Sequence, residues 1–324
     1  MTTAFIRPDV RGFLDYLNAL PGPRSHELGP VEARRMMSAM RDVADAPVGD
    51  LAVIRDLAMP GAHGDIALRL FDARESRAPG PVVLFYHGGG FVLGDLDSHA
   101  PVCAEIARGL DLPVVSVDYR LAPEHPWPAA PDDAEAATRW IASAPAELGF
   151  GVTSLVLAGD SAGGTLAIVT AMALRDAPAA VPVVAQWPIY PAADLATAYP
   201  SYGEFADGFL LSKDGMEWFT ACYQPDMADW RGSPMAGALA GMPPALVITA
   251  SLDPIRDQGR AYAAALIQAG VPTVFREAVG NIHGFMNLRK AIPSSEGDLR
   301  ACLTALRAIV AEAEADRVLA EAAA

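Results

Sequence analysis

The chain of 324 residues contains only three cysteines, Cys103, Cys222 and Cys302, which are far apart and odd in number. They offer neither a disulfide framework nor the paired spacing of a zinc site, so no structural cross-link and no metal is expected. No run of about 18 uncharged apolar residues is present from which a membrane-spanning helix could be built. The opening residues, Met1-Thr2-Thr3-Ala4-Phe5-Ile6-Arg7-Pro8-Asp9, lack the basic start and apolar stretch of a secretory leader. A reducing cytoplasm is therefore the expected setting. Basic residues are also scarce: 24 Lys and Arg face 39 Asp and Glu, for a formal net charge of −15. Such a field repels phosphate, which argues against nucleic acid and against an anionic membrane surface as partners. Beyond solubility, the acidity identifies no ligand.

What the chain does have is apolar material, 52% of its residues, enough for a large core. Near the start, Phe13, Leu14 and Leu17 repeat on one helical face, and Met36, Met37 and Met40 do so again, with Pro21-Gly22-Pro23 breaking the chain between them. Residues 51–57 and 66–71 then alternate as strands around a bend marked by Pro60-Gly61 and Gly64. From Pro81 onward the rhythm changes to short continuous apolar runs at 82–86, 114–117, 155–157, 183–185 and 245–248. Helical segments at 100–110, 129–141 and 162–174 lie between most of them. Strands apolar on both faces and alternating with helices predict a mostly parallel sheet covered on both sides, an α/β fold. Between Pro191 and Pro243 no core strand is visible. That stretch is instead rich in large apolar side chains, among them Phe205, Phe209, Leu211 and Trp218. It reads as an inserted helical cap. The expected division is N-terminal helices contributing to the cap (1–45), a first core part (46–190), the inserted cap (191–243) and a second core part (244–324).

Residues Gly159-Asp160-Ser161-Ala162-Gly163 read Gly-X-Ser-X-Gly and fall where a buried strand should turn into a helix, the context of a nucleophile elbow. A serine hydroxyl needs a base, and the base needs an acid to orient it. Of six histidines, His283 follows the last expected strand, and Asp253 follows the strand before it. The chain order Ser161, Asp253, His283 is that of a hydrolase with this elbow. Asp257 is the rival acid, but it falls in the first turn of a helix, where a carboxylate is stabilising for structural reasons. His87-Gly88-Gly89-Gly90-Phe91 follows another strand, and its consecutive glycines let backbone N–H groups approach a substrate oxygen. No Lys-Ser/Thr follows them, which excludes a Walker P-loop, and Gly-X-Gly-X-X-Gly spacing is not met.

Taken together, His87-Gly88-Gly89-Gly90-Phe91, Asp118-Tyr119-Arg120-Leu121-Ala122-Pro123-Glu124, Gly159-Asp160-Ser161-Ala162-Gly163-Gly164, Asp253-Pro254-Ile255-Arg256-Asp257 and His283-Gly284-Phe285 resemble the hormone-sensitive-lipase-like family of bacterial carboxylesterases. The resemblance implies an α/β-hydrolase fold with a helical cap and a cofactor-free serine carboxylesterase acting on small-molecule esters. In it Ser161 would be the nucleophile, His283 the base and Asp253 the orienting acid. The oxyanion donors would come from Gly88, Gly89, Gly90 and Ala162, and His87 would shape the glycine loop. Amides, lactones or carbamates are alternative substrates for the same triad, and a non-catalytic receptor of the same fold is the alternative from another class. The acyl pocket is expected from Phe13, Met36, Met37, Phe205, Phe209, Leu211 and Trp218, which leaves room for acyl groups of about two to eight carbons. A homodimer is expected through the last strand, 273–278, and part of 294–306.

Overall fold

The computed structural model describes residues 4–323. Residues 1–3, the start of the stretch read for a leader, and Ala324 lie outside the described residues. The apolar runs become the strands β1 (Val53–Gly61), β2 (Gly64–Asp72), β3 (Gly80–Tyr86), β4 (Val114–Val117), β5 (Val152–Asp160), β6 (Val183–Ile189), β7 (Ala245–Leu252) and β8 (Thr273–Ile282). The helices are α1 (Pro8–Ala19), α2 (Pro30–Ala44), α3 (Ala100–Leu110), α4 (Ala129–Ala142), α5 (Ala162–Asp176), α6 (Pro200–Glu204), α7 (Lys213–Tyr223), α8 (Arg256–Gln268) and α9 (Ser295–Ala323). No helix among the described residues is long and apolar enough to cross a membrane.

The strands form one sheet in the order β1-β2-β4-β3-β5-β6-β7-β8. The pairs β1–β2 and β2–β4 are antiparallel, and every pairing from β4 through β3 to β8 is parallel. The alternation along a strand decides which core it enters. In β3, Val82, Leu84 and Tyr86 join the cluster that includes α4, α5 and α8, while Val83 and Phe85 join the one that includes α3 and α9. All five are buried, which is why this strand shows no polar alternation in sequence. The loops that leave the carboxyl ends of the parallel strands gather on one edge of the sheet, where open α/β folds place their ligands.

Segment 191–243, between β6 and β7, carries α6 and α7 and contains no strand. Ser212 starts α7 by accepting the Gly215 N–H at 3.1 Å, an N-cap bond. A third, smaller cluster unites Val10 and Leu14 of α1, Phe205 after α6, Leu252, Ile282, Leu288 and Ile292. It fastens the N-terminal helices to the ends of β7 and β8.

That attachment has an electrostatic lock. Asp45, just past α2, accepts from Arg289 Nε at 2.9 Å and Nη2 at 3.1 Å, and both residues are buried. The Ala44 carbonyl also accepts the N–H groups of Lys290 and Ala291. Removing one member of a buried ion pair strands the other charge away from water, at a cost of about 3–5 kcal/mol. Asp45→Ala should therefore lower the unfolding free energy by about that amount in urea titrations. The double variant Asp45→Leu with Arg289→Met should recover most of it, because the stranded charge is gone. A loss in the double variant as deep as in Asp45→Ala would show that the charge is not what the fold depends on.

Candidate active site

Ser161 sits at the turn from β5 into α5 with φ 54° and ψ −118°, a backbone conformation that L-residues rarely adopt. The turn closes because its neighbours are small. A Cβ on Gly163 would run into the carbonyl oxygens of Tyr86 and His87, and one on Gly159 into the Gly163 backbone. The strained residue is held by its own N–H, which donates to Ile189 O at 2.9 Å. Strain of this kind persists only where the surroundings over-determine it. Its effect is to lift the side-chain oxygen off the end of the sheet.

His283, from the loop after β8, places Nε2 2.9 Å from Ser161 Oγ. Its Nδ1 lies 2.7 Å from Oδ2 of Asp253, which follows β7 and is fully buried. The other Asp253 oxygen accepts the Ile255 N–H at 2.9 Å, which fixes the carboxylate plane. Asp257 is elsewhere engaged. It accepts the Ser201 N–H at 3.0 Å and pairs with Arg256 and Arg260, so it ties α6 to α8.

The glycine loop after β3 divides. Gly89 and Gly90 have φ +115° and +62° and line the same cavity as Ser161, as does Ala162. No acceptor for the Gly89, Gly90 or Ala162 N–H is found among the described residues. Gly88 is different. Its N–H donates to Asp160 Oδ1 at 2.8 Å, and it does not line the cavity. The expectation of Gly88 as an oxyanion donor is corrected accordingly: its hydrogen is already committed to a buried carboxylate.

Asp160 is a hub that the sequence did not disclose. Besides Gly88 it receives His99 Nε2 at 3.1 Å, Asn287 Nδ2 at 3.2 Å and Tyr190 OH at 3.4 Å. Burial pushes its pKa up, but the His99 charge and hydrogen bond and the Gly88 N–H outweigh it, so the carboxyl stays below its ordinary range. His99, Tyr190 and Asn287 have no fixed spacing from Ser161. The one available signal was that His99 is among only six histidines.

A cavity of about 1070 Å³ opens over Ser161 and His283. Phe13, Met36, Met37, Leu211 and Trp218 line it. Phe205 and Phe209 do not. They stack edge to face at 5.1 Å in or against the third cluster, where Arg256 lies over the Phe205 ring. Their apolar surface is spent on fastening segment 191–243 to α1 and β7. Phe219, an aromatic of the same stretch that was not among the expected pocket residues, lines the cavity instead. Among the described residues no cluster of three or more His, Cys, Asp or Glu is arranged to hold a metal.

A serine elbow, a buried acid and a histidine, each at the carboxyl end of its own strand, define an α/β hydrolase. Residues 83–287 match the α/β hydrolase fold family, and the chain belongs to it. The chain is similar to Esterase LipI of Mycobacterium tuberculosis, 39% identical over 305 residues that cover 92% of this chain and 94% of that one. Ethyl acetate hydrolase of Pseudomonas putida is 34% identical over 316 residues, covering 93% and 98%. The solved ester-hydrolase from the Lake Arreo metagenome superposes with a TM-score of 0.89 at 36% identity, covering 94% of this chain and 98% of that one. Within its family the chain stands among the carboxylic ester hydrolases.

His87 supports the loop from beneath. It stacks on Tyr119 at 4.3 Å, and its Nδ1 donates to Gly88 O at 2.8 Å. Burial, with the charge of nearby His99, pushes the imidazole down to about 4 from its ordinary 6.5. Between those values the unfolded chain binds more protons than the folded one at this site. The stability it contributes is thus fully present above pH 6.5 and is lost as pH falls toward 4. His87→Phe keeps a ring for the stack and removes the titration. Its urea midpoint should start lower at pH 7.5 and fall less between pH 6.5 and 4 than that of the parent. Parallel falls would place the acid sensitivity at another group.

Proposed function

We propose that this enzyme hydrolyses esters of short to medium acyl chains through a serine acyl-enzyme. Ser161 attacks the ester carbonyl while His283 takes its proton, and His283 then protonates the departing alcohol. Asp253 holds the imidazole in the tautomer that presents a free Nε2 lone pair to Ser161. The N–H groups of Gly89, Gly90 and Ala162 receive the oxyanion, aided by the N-terminal end of the α5 dipole. Water admitted through the cavity clears the acyl group by the same steps in reverse order. The observation that carries this reading is the unbroken hydrogen-bond chain from Asp253 through His283 to Ser161 on the cavity floor. Helices of 1–45 and the insertion 191–243 act as the cap over a core of 46–190 and 244–324, since both supply the cavity wall.

Ser161→Ala should lower the hydrolysis of p-nitrophenyl butyrate to background with the thermal midpoint kept. Asp253→Asn should lose several orders of magnitude in kcat, because the wrong tautomer is then favoured. Asp257→Asn should instead lose stability and keep most of its turnover. Equal losses of kcat in the two aspartate variants would remove Asp253 from the mechanism.

Substrate preference follows from the wall. Phe13, Trp218 and Leu211 add bulk to the cavity wall and Met36 and Met37 adapt it, since methionine is flexible. Each buried methylene contributes about 0.8 kcal/mol until the space is filled. Rates on p-nitrophenyl esters should climb with acyl length, reach their maximum within about eight carbons, and then drop. A rate still rising at about sixteen carbons would show that the cavity continues as an open tunnel.

The proposed assembly is a homodimer. β8 ends the sheet, and Val274 and Phe275 on it are 38% and 40% exposed. An edge strand with exposed apolar groups is a liability unless a partner covers it. Sedimentation at micromolar concentration should give twice the chain mass of 34.0 kDa, and Phe275→Lys should give the single chain. A monomer in both would reject the pairing.

A further inference from the structure

The loop that supplies the oxyanion donors carries strain beyond its glycines. Phe91, the residue after Gly90, has φ +64°, a conformation costly for a bulky side chain. Three consecutive residues, Gly89, Gly90 and Phe91, are therefore left-handed or nearly so. The turn is closed within the loop, where Gly89 O accepts the Val92 and Leu93 N–H groups at 3.1 and 2.8 Å, and neighbouring segments hold it further. Part of the hold is local: Phe91 O accepts the Ala122 N–H at 2.9 Å, and Arg34 of α2 donates to Val92 O and Ala122 O, each at 2.8 Å. The rest comes from α7. The Phe219 ring lies so close over Gly90 that a Cβ there would run into it. One turn further on, Tyr223 stacks on Phe91 with centroids 3.8 Å apart and planes 7° from parallel. Tyr223 is buried, and its carbonyl accepts the Trp127 N–H at 2.8 Å, which fixes the end of α7 to the core.

We propose that Phe219, backed by Tyr223, is a positioning residue. It presses the Gly89–Gly90 backbone toward the reacting carbonyl, so that the inserted helix α7 sets kcat and not only the fit of the substrate. This rests on the reading of Gly89 and Gly90 as oxyanion donors. Removing the ring lets the strained loop relax, and the N–H groups move away from where negative charge develops. Ground-state binding of the acyl chain, made by other parts of the wall, is little affected. A donor displaced by a fraction of an ångström to about 1 Å loses about 10- to 100-fold in rate.

The test uses the full chain and two matched substrates, p-nitrophenyl butyrate and its thionoester, in which sulfur replaces the carbonyl oxygen. Sulfur is larger and accepts hydrogen bonds weakly, so the oxo-to-thiono ratio of kcat/KM reports how well the donors are aimed. Phe219→Ala and the milder Phe219→Leu should lower kcat on the oxo ester by about 10- to 100-fold. KM should change by less than about threefold, and the oxo-to-thiono ratio should fall in step with kcat. Phe219→Tyr keeps the ring and should restore both values. Thermal midpoints confirm that each variant is folded, and Phe219→Leu carries the test where Phe219→Ala is not. A rise in KM with kcat and the ratio unchanged would make Phe219 a wall residue and overturn the proposal. Gly90→Ala, which disturbs the loop directly, separates this from the underlying reading. If Gly90→Ala lowers the ratio and the Phe219 variants do not, only the positioning role fails. If Gly90→Ala leaves the ratio unchanged, the loop does not hold the oxyanion and both readings fall.

Discussion

At Gly163 the first turn of α5 is pressed against the end of β3 so tightly that a Cβ would meet the Tyr86 and His87 carbonyl oxygens. This contact between two backbones determines the geometry of everything around it. It forces the chain at Ser161 into its strained turn, because β5 must reverse into α5 within one residue. It brings the glycine loop after β3 beside the N-terminus of α5, so that N–H groups of Gly89, Gly90 and Ala162 share one cavity with the Ser161 hydroxyl. Serine, donors and helix dipole converge because two main chains touch, which no side chain could achieve from a distance.

The second constraint is electrostatic and lies behind the first. Asp160 is buried next to the serine, and an ionised carboxylate there would be expensive without partners. Gly88, His99, Tyr190 and Asn287 supply them from four different parts of the chain. One oxygen set thereby stitches the glycine loop, the start of α3, the end of β6 and the loop after β8 around the elbow. The Gly88 hydrogen is consumed in this stitching, which is why a loop of three glycines has its free N–H groups at Gly89 and Gly90. His87 stays in place by stacking and by its bond to Gly88 O, and it contributes as a neutral ring rather than as a charge.

Around this rigid centre the wall is made of parts with weaker ties to the sheet. α1 and α2 are fastened by the Val10–Leu14 cluster and by the Asp45–Arg289 pair, and α7 rests on the glycine loop through Phe219 and Tyr223. The division of labour has a physical reason. Reacting groups need sub-ångström placement and sit at strand ends. The wall proposed to receive the apolar part of an ester needs only bulk and adaptability, and methionines and aromatics on helices provide both.

The fold was legible in the sequence because burial on both faces leaves a one-dimensional trace. Runs such as Val82-Val83-Leu84-Phe85-Tyr86 and Ala245-Leu246-Val247-Ile248 admit few other readings, and the order of strands and helices followed from them. The elbow was legible too, since Gly159 and Gly163 mark a turn that tolerates no Cβ, and the chain order of Ser161, Asp253 and His283 follows the order of strands. What the sequence could not contain is which partners meet across the fold. Phe205, Phe209 and Phe219 are chemically alike in one aromatic stretch, yet the path of the chain between α6 and α7 brings two of them to the third cluster, and α7 lays the other over Gly90. Gly88, Gly89 and Gly90 are identical as letters, and only the position of Asp160 decides which of their hydrogens are free. His99, Tyr190 and Asn287 reach Asp160 through contacts between residues 30 to 127 positions apart, and such contacts leave no local periodicity. The sequence alone determined elements, their order and the candidates for the reactive groups, because these depend on local burial and backbone sterics. Orientation, donor availability and the shape of the wall were decided by tertiary structure, because they depend on which side chains the packed sheet brings within hydrogen-bond and van der Waals range.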